Sequence, residues 1–430
     1  MKLIDKYPAL IVLEGSGVFS SGDIEFESIF EIVHYPQNVI IIPKEEPEIN
    51  SLVFLENFKS QNLWKLFGHI GENIPISAED LLCTSSSDLT FRPLNKDIIF
   101  GNAQKNRFVQ AQFPLVGLFA GQVNLDFGNW QISTILTAKE TNPIKSKSEL
   151  WNLPLEGNTL SINNSKGASK QDFLDLANDI SLLLSLAVGN SVVYNRQLYF
   201  ENNRIEQEIW RKKPDYYFGT RQCIPTSELN HLIKRSLSRF EQWSKEKKDT
   251  FYAVVNSINS SSKGFVEDRL LHLTIAWESL ANKWLPKESL AKNYKELDPL
   301  KKILKTAVDE FKLPENYDKD FIKGRVVMAL NWERLLKSIM NLINYYNLDY
   351  HKLNLDIETL LKIRNDVAHY GQLRTIYSKK YLADLIFYNR TGLSVLLLTE
   401  LGYDGLIEFK KDNWKTAEKI HEFYRNTPSP

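Results

Sequence analysis

The chain has 430 residues, 43% of them hydrophobic and 25% charged. That is an ordinary globular composition, long enough for two or three domains and apolar enough for a large core. Its 53 Lys and Arg balance its 53 Asp and Glu, which excludes a long-range electrostatic pull toward nucleic acid. Any RNA binding must come from a local basic patch or a shaped site.

The two cysteines, Cys83 and Cys223, form no C-x-x-C pair. The sequence therefore supports neither a disulfide framework nor a cysteine zinc site, and a reducing cytoplasm is expected. Met1 to Gly15 carries Asp5 and Glu14 around a short apolar stretch and lacks the form of a signal peptide. Up to about Thr141 the pattern is β. Ile24, Phe26, Phe30 and Ile32 alternate with Glu25, Glu27 and Glu31, the mark of a half-buried strand. Val39 to Ile42, stopped by Pro43, reads as a short buried strand. Trp130, Ile132, Thr134 and Leu136 share one face, and Gly128-Asn129 before them suits a hairpin turn. Many short strands with turn signals predict a sandwich or an open barrel.

From Lys170 to Val188 the period becomes helical, with Phe173, Leu174, Ala177, Ile180, Leu184 and Ala187 on one face and Gly189-Asn190 as a stop. The greasy run Ile180 to Val193 falls short of the roughly 20 residues that span a bilayer, so no membrane partner is expected. Two strand-like runs follow, Ser191 to Phe200 and Arg204 to Trp210, then a polar stretch from Lys212 to Gly219. Beyond Ser227 the signals are helical: Phe265 to Trp284, Tyr294 to Phe311, Arg325 to Tyr346, Ile357 to Tyr370 and Tyr381 to Leu401. Asp356 suits the N-cap of the fourth and Gly371 its stop. The expected class is α+β and multidomain. A β-rich region spans 1–211, a linker 212–226 and an all-α domain 227–430.

The chemistry is expected in Lys362-Ile363-Arg364-Asn365-Asp366-Val367-Ala368-His369-Tyr370-Gly371. The apolar stripe of this helix is Ile357, Leu360, Leu361, Val367 and Ala368, and the stripe position seven residues after Ile357 is Arg364. A guanidinium keeps its proton, so burial there demands an anion. A carboxylate of this chain or a phosphate oxygen would serve, and the planar fork of Arg suits phosphate. His369 lies five residues on, roughly 140° around the helix from Arg364. One helix alone makes a loose site, whereas two copies about a two-fold axis can share a cleft. The chemistry such a pair offers is RNA cleavage without a metal. Neutral His takes the 2′-OH proton, a second His protonates the leaving 5′-oxygen, and Arg364 stabilises charge on phosphorus. Asn365 and Asp366 would orient the His or contact ribose. The products would carry a 2′,3′-cyclic phosphate and a 5′-OH. The structural alternatives are a salt bridge for Arg364 and a dipole-stabilising helix-end position for His369.

Arg364-Asn365-x-x-x-His369 at a helix end resembles the R-x4-6-H motif of HEPN ribonucleases, with the polar Asn directly after the Arg that is usual there. Leu270 to Leu280, with Glu278 as the acidic position, resembles the first long HEPN helix. Glu278 shares a face with Leu271 and Ile275 and is expected to be at least half buried, pairing with Arg364 or the His. The layout of a β-rich half followed by such a domain, with Leu183 to Gly189 before paired strands, is similar to ApeA-type abortive-infection proteins of bacteria. The resemblance implies a homodimer through the HEPN domain, an RNA target (tRNA among the possibilities), a role in antiphage defence and no cofactor. It leaves the β-rich half to sense a phage-derived trigger or restrain the nuclease. Lys362, Tyr370 and His272 are the expected further RNA contacts. An inactive HEPN bundle used for dimerisation or RNA capture is the alternative.

Other motifs carry no chemistry. Gly15-Ser16-Gly17 lacks the rest of a dinucleotide loop, and Asp126-Phe127-Gly128 reads as a strand end and turn. The remaining histidines show no metal spacing. Basic clusters at Arg211 to Lys213, at Lys245 with Lys247-Lys248, and at Lys301-Lys302 with Lys305 read as solvated faces before RNA contacts.

Overall fold

The structure, a computed structural model, describes residues 11–22, 24–35, 38–44, 63–71, 74–85, 90–94, 97–101, 105–116, 122–136, 156–189, 191–194, 196–202, 204–210, 223–262, 264–285, 287–311, 318–373, 376–411 and 414–425. They divide into two compact units. One comprises residues up to Ser181 together with Val192–Tyr216, and the other Leu182–Ser191 together with residues from Tyr217. The readings for the N-terminal ten residues and for Lys212 to Gly219 lie outside the described residues.

The first unit is built on strands β1 (Ile11–Ser21), β2 (Ile24–Tyr35), β3 (Asn38–Pro43), β4 (Trp64–Ile70), β5 (Ile74–Ser85) and β6 (Thr90–Pro93). In β2 the alternation of apolar and Glu positions is realised: Ile24, Phe26, Phe30 and Ile32 are buried while Glu25 and Glu27 face out. The antiparallel pairings run β1–β2, β2–β3, β3–β6, β6–β5, β5–β4 and β4–β1. That path returns to its start, so these six strands form a closed barrel rather than the sandwich or open barrel predicted. Closure leaves no free edge along the ring. It is made possible where Gly17 of β1 and Gly68 of β4 face each other in register. A Cβ on Gly17 would lie 2.5 Å from the Phe67 carbonyl oxygen and 2.8 Å from the Gly68 Cα. The lumen is filled by aromatics. Phe19 stacks on Phe26 at 5.0 Å and on Phe91 at 5.1 Å, and Trp64 meets Phe91 edge-on at 5.5 Å.

The same unit continues through β7 (Ile98–Gly101), β8 (Arg107–Val116), β9 (Asn124–Phe127), β10 (Trp130–Leu136), β11 (Glu156–Ser169), β12 (Val193–Tyr194), β13 (Arg196–Glu201) and β14 (Arg204–Trp210). β7 pairs with β5 of the barrel, and an open sheet runs from it in the order β7-β14-β13-β8-β11-β10-β9. Gly128, at φ +59°, and Asn129 turn β9 into β10, as predicted. Helix α1 (Lys170–Val188) follows β11 directly. Its Phe173 is buried against Trp130, 5.1 Å away, and Tyr199, 6.3 Å away.

The second unit contains α2 (Leu229–Phe240), α3 (Lys245–Ser260), α4 (Val266–Lys283), α5 (Lys287–Glu310), α6 (Lys319–Tyr345), α7 (Ile357–Tyr370) and α8 (Lys379–Glu400). α4 is central and packs on α3, α6, α7 and α8. Its Leu270, Leu273, Ala276, Trp277, Leu280 and Ala281 are all buried. α8 is buried without a break from Asn389 to Leu398. The Trp277 indole donates to the Asn389 Oδ1 at 3.0 Å, and the Asn389 amide donates to the Leu385 carbonyl at 2.9 Å. An all-helical domain is corrected here. Strands β15 (Leu406–Lys411) and β16 (Trp414–Lys419) form a hairpin, held by buried Ile407 and by the Glu408 N–H donating to the Cys223 carbonyl at 2.8 Å. Strands of six residues carry too few apolar positions for a period of two to stand out beside a long helix. Among the described residues no helix is long and apolar enough to cross a membrane.

Candidate functional site

α7 is fixed at both ends by local chemistry. The Asp356 carboxylate accepts the Thr359 N–H at 3.0 Å and the Tyr381 hydroxyl at 2.7 Å, which ties the helix start to α8. Burial alone would raise the Asp356 carboxyl, but these two donors outweigh it and hold it below the usual carboxylate range. At the other end Gly371 takes φ +68°, and its N–H donates to the Val367 carbonyl at 2.9 Å.

Between these caps the helix changes depth. Ile357, Leu360, Leu361 and Ile363 are buried, whereas Arg364 to Val367 are half-buried and Ala368 to Tyr370 exposed. The expected burial of Arg364 in the middle of the apolar stripe is therefore corrected to a position at its margin, and Ala368 lies outside the core. The wheel angle of both residues is right, but the last two turns move away from the core.

Arg364 nevertheless finds the carboxylate anticipated for it. Its Nη2 lies 3.7 Å from Oε2 of Glu278 on α4, and its Nη1 donates to the Asn365 side-chain oxygen at 3.3 Å. The Arg364 and Glu278 side chains are 35% and 36% exposed. This is a long, solvent-accessible bridge between two helices, so neither group needs the other to escape a buried charge. Leu271 is half-buried and Ile275 exposed, so the face carrying Glu278 is the outer edge of α4 rather than its core face. The fully sequestered face is turned about 100° away, along Leu273, Trp277 and Leu280.

His369 is exposed on the last turn of α7, with its ring 6.3 Å from that of Tyr370. Neither ring nitrogen of His369 has a hydrogen-bond partner among the described residues. Tyr370 and Lys362 are both exposed, and Asp366 is half-buried. His272 is half-buried on α4, six residues before Glu278, so helix geometry sets it roughly 120° around and about 9 Å along from that carboxylate. The structure thus brings together Glu278, Arg364 and Asn365, and leaves His369, Tyr370, Lys362 and His272 outside that set.

A concavity of about 650 Å³ adjoins Glu278, lined by Lys245, Asp249, Thr250, Ser279, Asn282 and Lys283 among others from α3 and α4. Of the active-site and RNA-contact residues expected from the sequence only Glu278 lines it, together with Lys245 of one basic cluster. The other basic clusters resolve differently. Lys247 sits over the rings of Trp243 and Trp284, at 4.8 and 5.5 Å, and pairs with Glu400, so it belongs to the packing of the unit. Lys301 pairs with Asp298 at 3.0 Å. Arg211 to Lys213 lie outside the described residues. Among the described residues of this unit the buried arginine is Arg390, whose Nη2 donates to the Gly189 carbonyl at 3.2 Å. Among the described residues no group of three or more His, Cys, Asp and Glu could hold a metal ion.

No protein-family model, no curated protein and no solved structure matches this chain.

Proposed function

We propose that the chain is a metal-independent endoribonuclease with a HEPN-like helical unit, acting in the cytoplasm in antiphage defence of the abortive-infection type. The observation that carries this reading is the Glu278–Arg364 pair between α4 and α7, with an exposed His369 five residues further along α7 whose ring is free to meet a substrate. Arg364 is reachable from solvent and held by a carboxylate at a distance that a phosphate oxygen can compete with. His369 offers an imidazole, the side chain most often used as a general base or acid. Because His369 and Arg364 are about 140° apart on one helix, a second copy of the chain completes the site, each supplying Arg and His to a shared cleft. Asn365 and Asp366 position the ribose or the His, and Tyr370, Lys362 and His272 contact the strand. RNA, with tRNA as one candidate, is cut to 2′,3′-cyclic phosphate and 5′-OH ends. The barrel-bearing unit senses a phage-derived trigger or restrains the nuclease.

A second reading is favoured by the same pair. Arg364 engaged by both Glu278 and Asn365 is also what a non-catalytic bundle would show, used for dimerisation or RNA capture. One experiment separates the two. Full-length protein and its Arg364→Ala and His369→Ala variants are incubated with total RNA in EDTA, with and without lysate of phage-infected cells. Cleavage by wild type alone, leaving cyclic phosphate ends, supports the nuclease. RNA retained on the protein but uncut in every arm supports the second reading.

A further inference from the structure

α2 presents a basic face that the chain order conceals. His231, Lys234, Arg235, Ser238, Arg239 and Gln242 fall three and four residues apart, so they form one exposed stripe opposite the buried Leu232, Ile233, Ser236 and Phe240. The stripe is one wall of a cleft of about 530 Å³, whose other wall is Leu401 and Gly402 at the end of α8. That volume lies within the range of small-ligand sites. Asp404 pairs with His231 and, at 3.2 Å, with Arg235. Lys234 and Arg239 have no acidic partner among the described residues. Lys234, Arg235 and Arg239 therefore line one concave surface, with Asp404 paired to Arg235 beside it.

The cleft is shaped around Arg239. Gly402 takes φ +71°, and a Cβ added there would lie 3.2 Å from the Arg239 Nε. A side chain at 402 would require the guanidinium to give way by a few tenths of an ångström. Capping of α8 does not account for Arg239. The last-turn carbonyls of Leu397, Leu398 and Thr399 already accept the N–H groups of Leu401, Tyr403 and Gly402 at 2.9–3.1 Å. The donor fork of Arg239 lines the cleft and has no acceptor among the described residues.

We infer that this cleft is a binding site for a phosphate-bearing ligand, with Lys234, Arg235 and Arg239 as its anion contacts. Guanidinium groups match phosphate oxygens through paired donors, and an ammonium adds a point charge beside them. Asp404 holds Arg235 by its carboxylate and fixes that donor in position. Such phosphate can come from a free di- or polyphosphate, including a nucleotide, or from the backbone of a nucleic-acid strand. The inference does not rest on the nuclease reading, because none of these residues belongs to that site.

The test is calorimetric titration of the full-length protein with inorganic pyrophosphate at low salt. Wild type is expected to bind, and Lys234→Ala/Arg239→Ala to weaken binding by about tenfold or more. Arg239→Lys should retain part of the affinity. Since both side chains are exposed, the double variant is expected to keep the wild-type urea midpoint, which separates a lost site from a lost fold. Displacement of pyrophosphate by a single-stranded RNA oligomer assigns the site to a nucleic-acid backbone. Binding that RNA leaves untouched assigns it to a free phosphate ligand. Absence of pyrophosphate binding at millimolar concentration, or equal binding by wild type and the double variant, overturns the inference.

Discussion

The Glu278 carboxylate and the Arg364 guanidinium meet across two helices at 3.7 Å while each remains about a third exposed. Exposed pairs of this length contribute below about 1 kcal/mol to stability. Glu278→Gln and Arg364→Ala are therefore each expected to lower the unfolding free energy by less than about 1 kcal/mol, measured by urea denaturation. Cleavage should behave otherwise. Loss of a group that stabilises charge on phosphorus costs on the order of 10²–10³ in rate, so Arg364→Ala should leave a folded and nearly inactive protein. A drop of several kcal/mol in stability with unchanged cleavage would make the bridge structural.

The buried hydrogen bond from Trp277 to Asn389 predicts the opposite balance. Both residues are inaccessible to solvent, and the Asn389 amide bonds through both ends, accepting from the indole and donating to the Leu385 carbonyl. Asn389→Ala strands an indole N–H in the core, which costs about 1–3 kcal/mol. The expected result is a lower urea midpoint with an unchanged slope. A neutral substitution would mean that the indole finds another acceptor.

Acid dependence follows from Asp356. Its carboxyl is held below the usual range because the Thr359 N–H and the Tyr381 hydroxyl outweigh the effect of burial. A depressed folded value gives stability that is fully present above the unfolded value, about 3.9, and is lost as pH falls through the folded one. Asp356→Asn keeps a good helix cap but does not titrate. The stability difference between wild type and Asp356→Asn is therefore expected to be largest near about pH 6 and to shrink as pH falls below about 4. A difference that stays constant across that range would show that Asp356 gives no charge-dependent stability.

How far the sequence leads depends on how local each signal is. The ends of α7 were legible to the residue, because Asp356 and Gly371 act on neighbours within one turn. The alternation in β2 was legible because Glu25 and Glu27 face water beside apolar partners facing the lumen. Depth along a helix was not. A helical wheel places Arg364 and Ala368 in line with Leu360 and Leu361 but carries no information on where α7 leaves the core. Lys247 read as part of a solvated run, since its rings, Trp243 and Trp284, and its partner Glu400 come from other elements. The basic stripe of α2 escaped notice for the converse reason, being dispersed in sequence and gathered only by the helix. Barrel closure depends on β1 meeting β4, a pairing no local pattern announces.

That closure yields a direct test at Gly17 and Gly68. The two residues are register partners, and each lacks a Cβ where the other's backbone passes: a Cβ on Gly68 would lie 2.7 Å from the Gly17 Cα. Such contacts are with main chain, which cannot swing aside as a side chain would. Overpacking of this kind costs about 1–3 kcal/mol, more where backbone must shift. Gly17→Ala and Gly68→Ala are each expected to destabilise the barrel by at least about 2 kcal/mol. By contrast Gly22→Ala, in the β1–β2 turn with nothing within 4 Å of its Cβ position, pays only for its φ of +58°, about 1–2 kcal/mol. Because the barrel strands and α4 belong to different compact units, the loss should appear first in hydrogen exchange of the β1 and β4 amides. Protection at Phe19, Leu66 and Ile70 should fall while that of Trp277 and Leu280 in α4 is unchanged. Equal protection at β1 and β4 in wild type and Gly17→Ala would show that the strands separate there and that the ring is not closed by this pair.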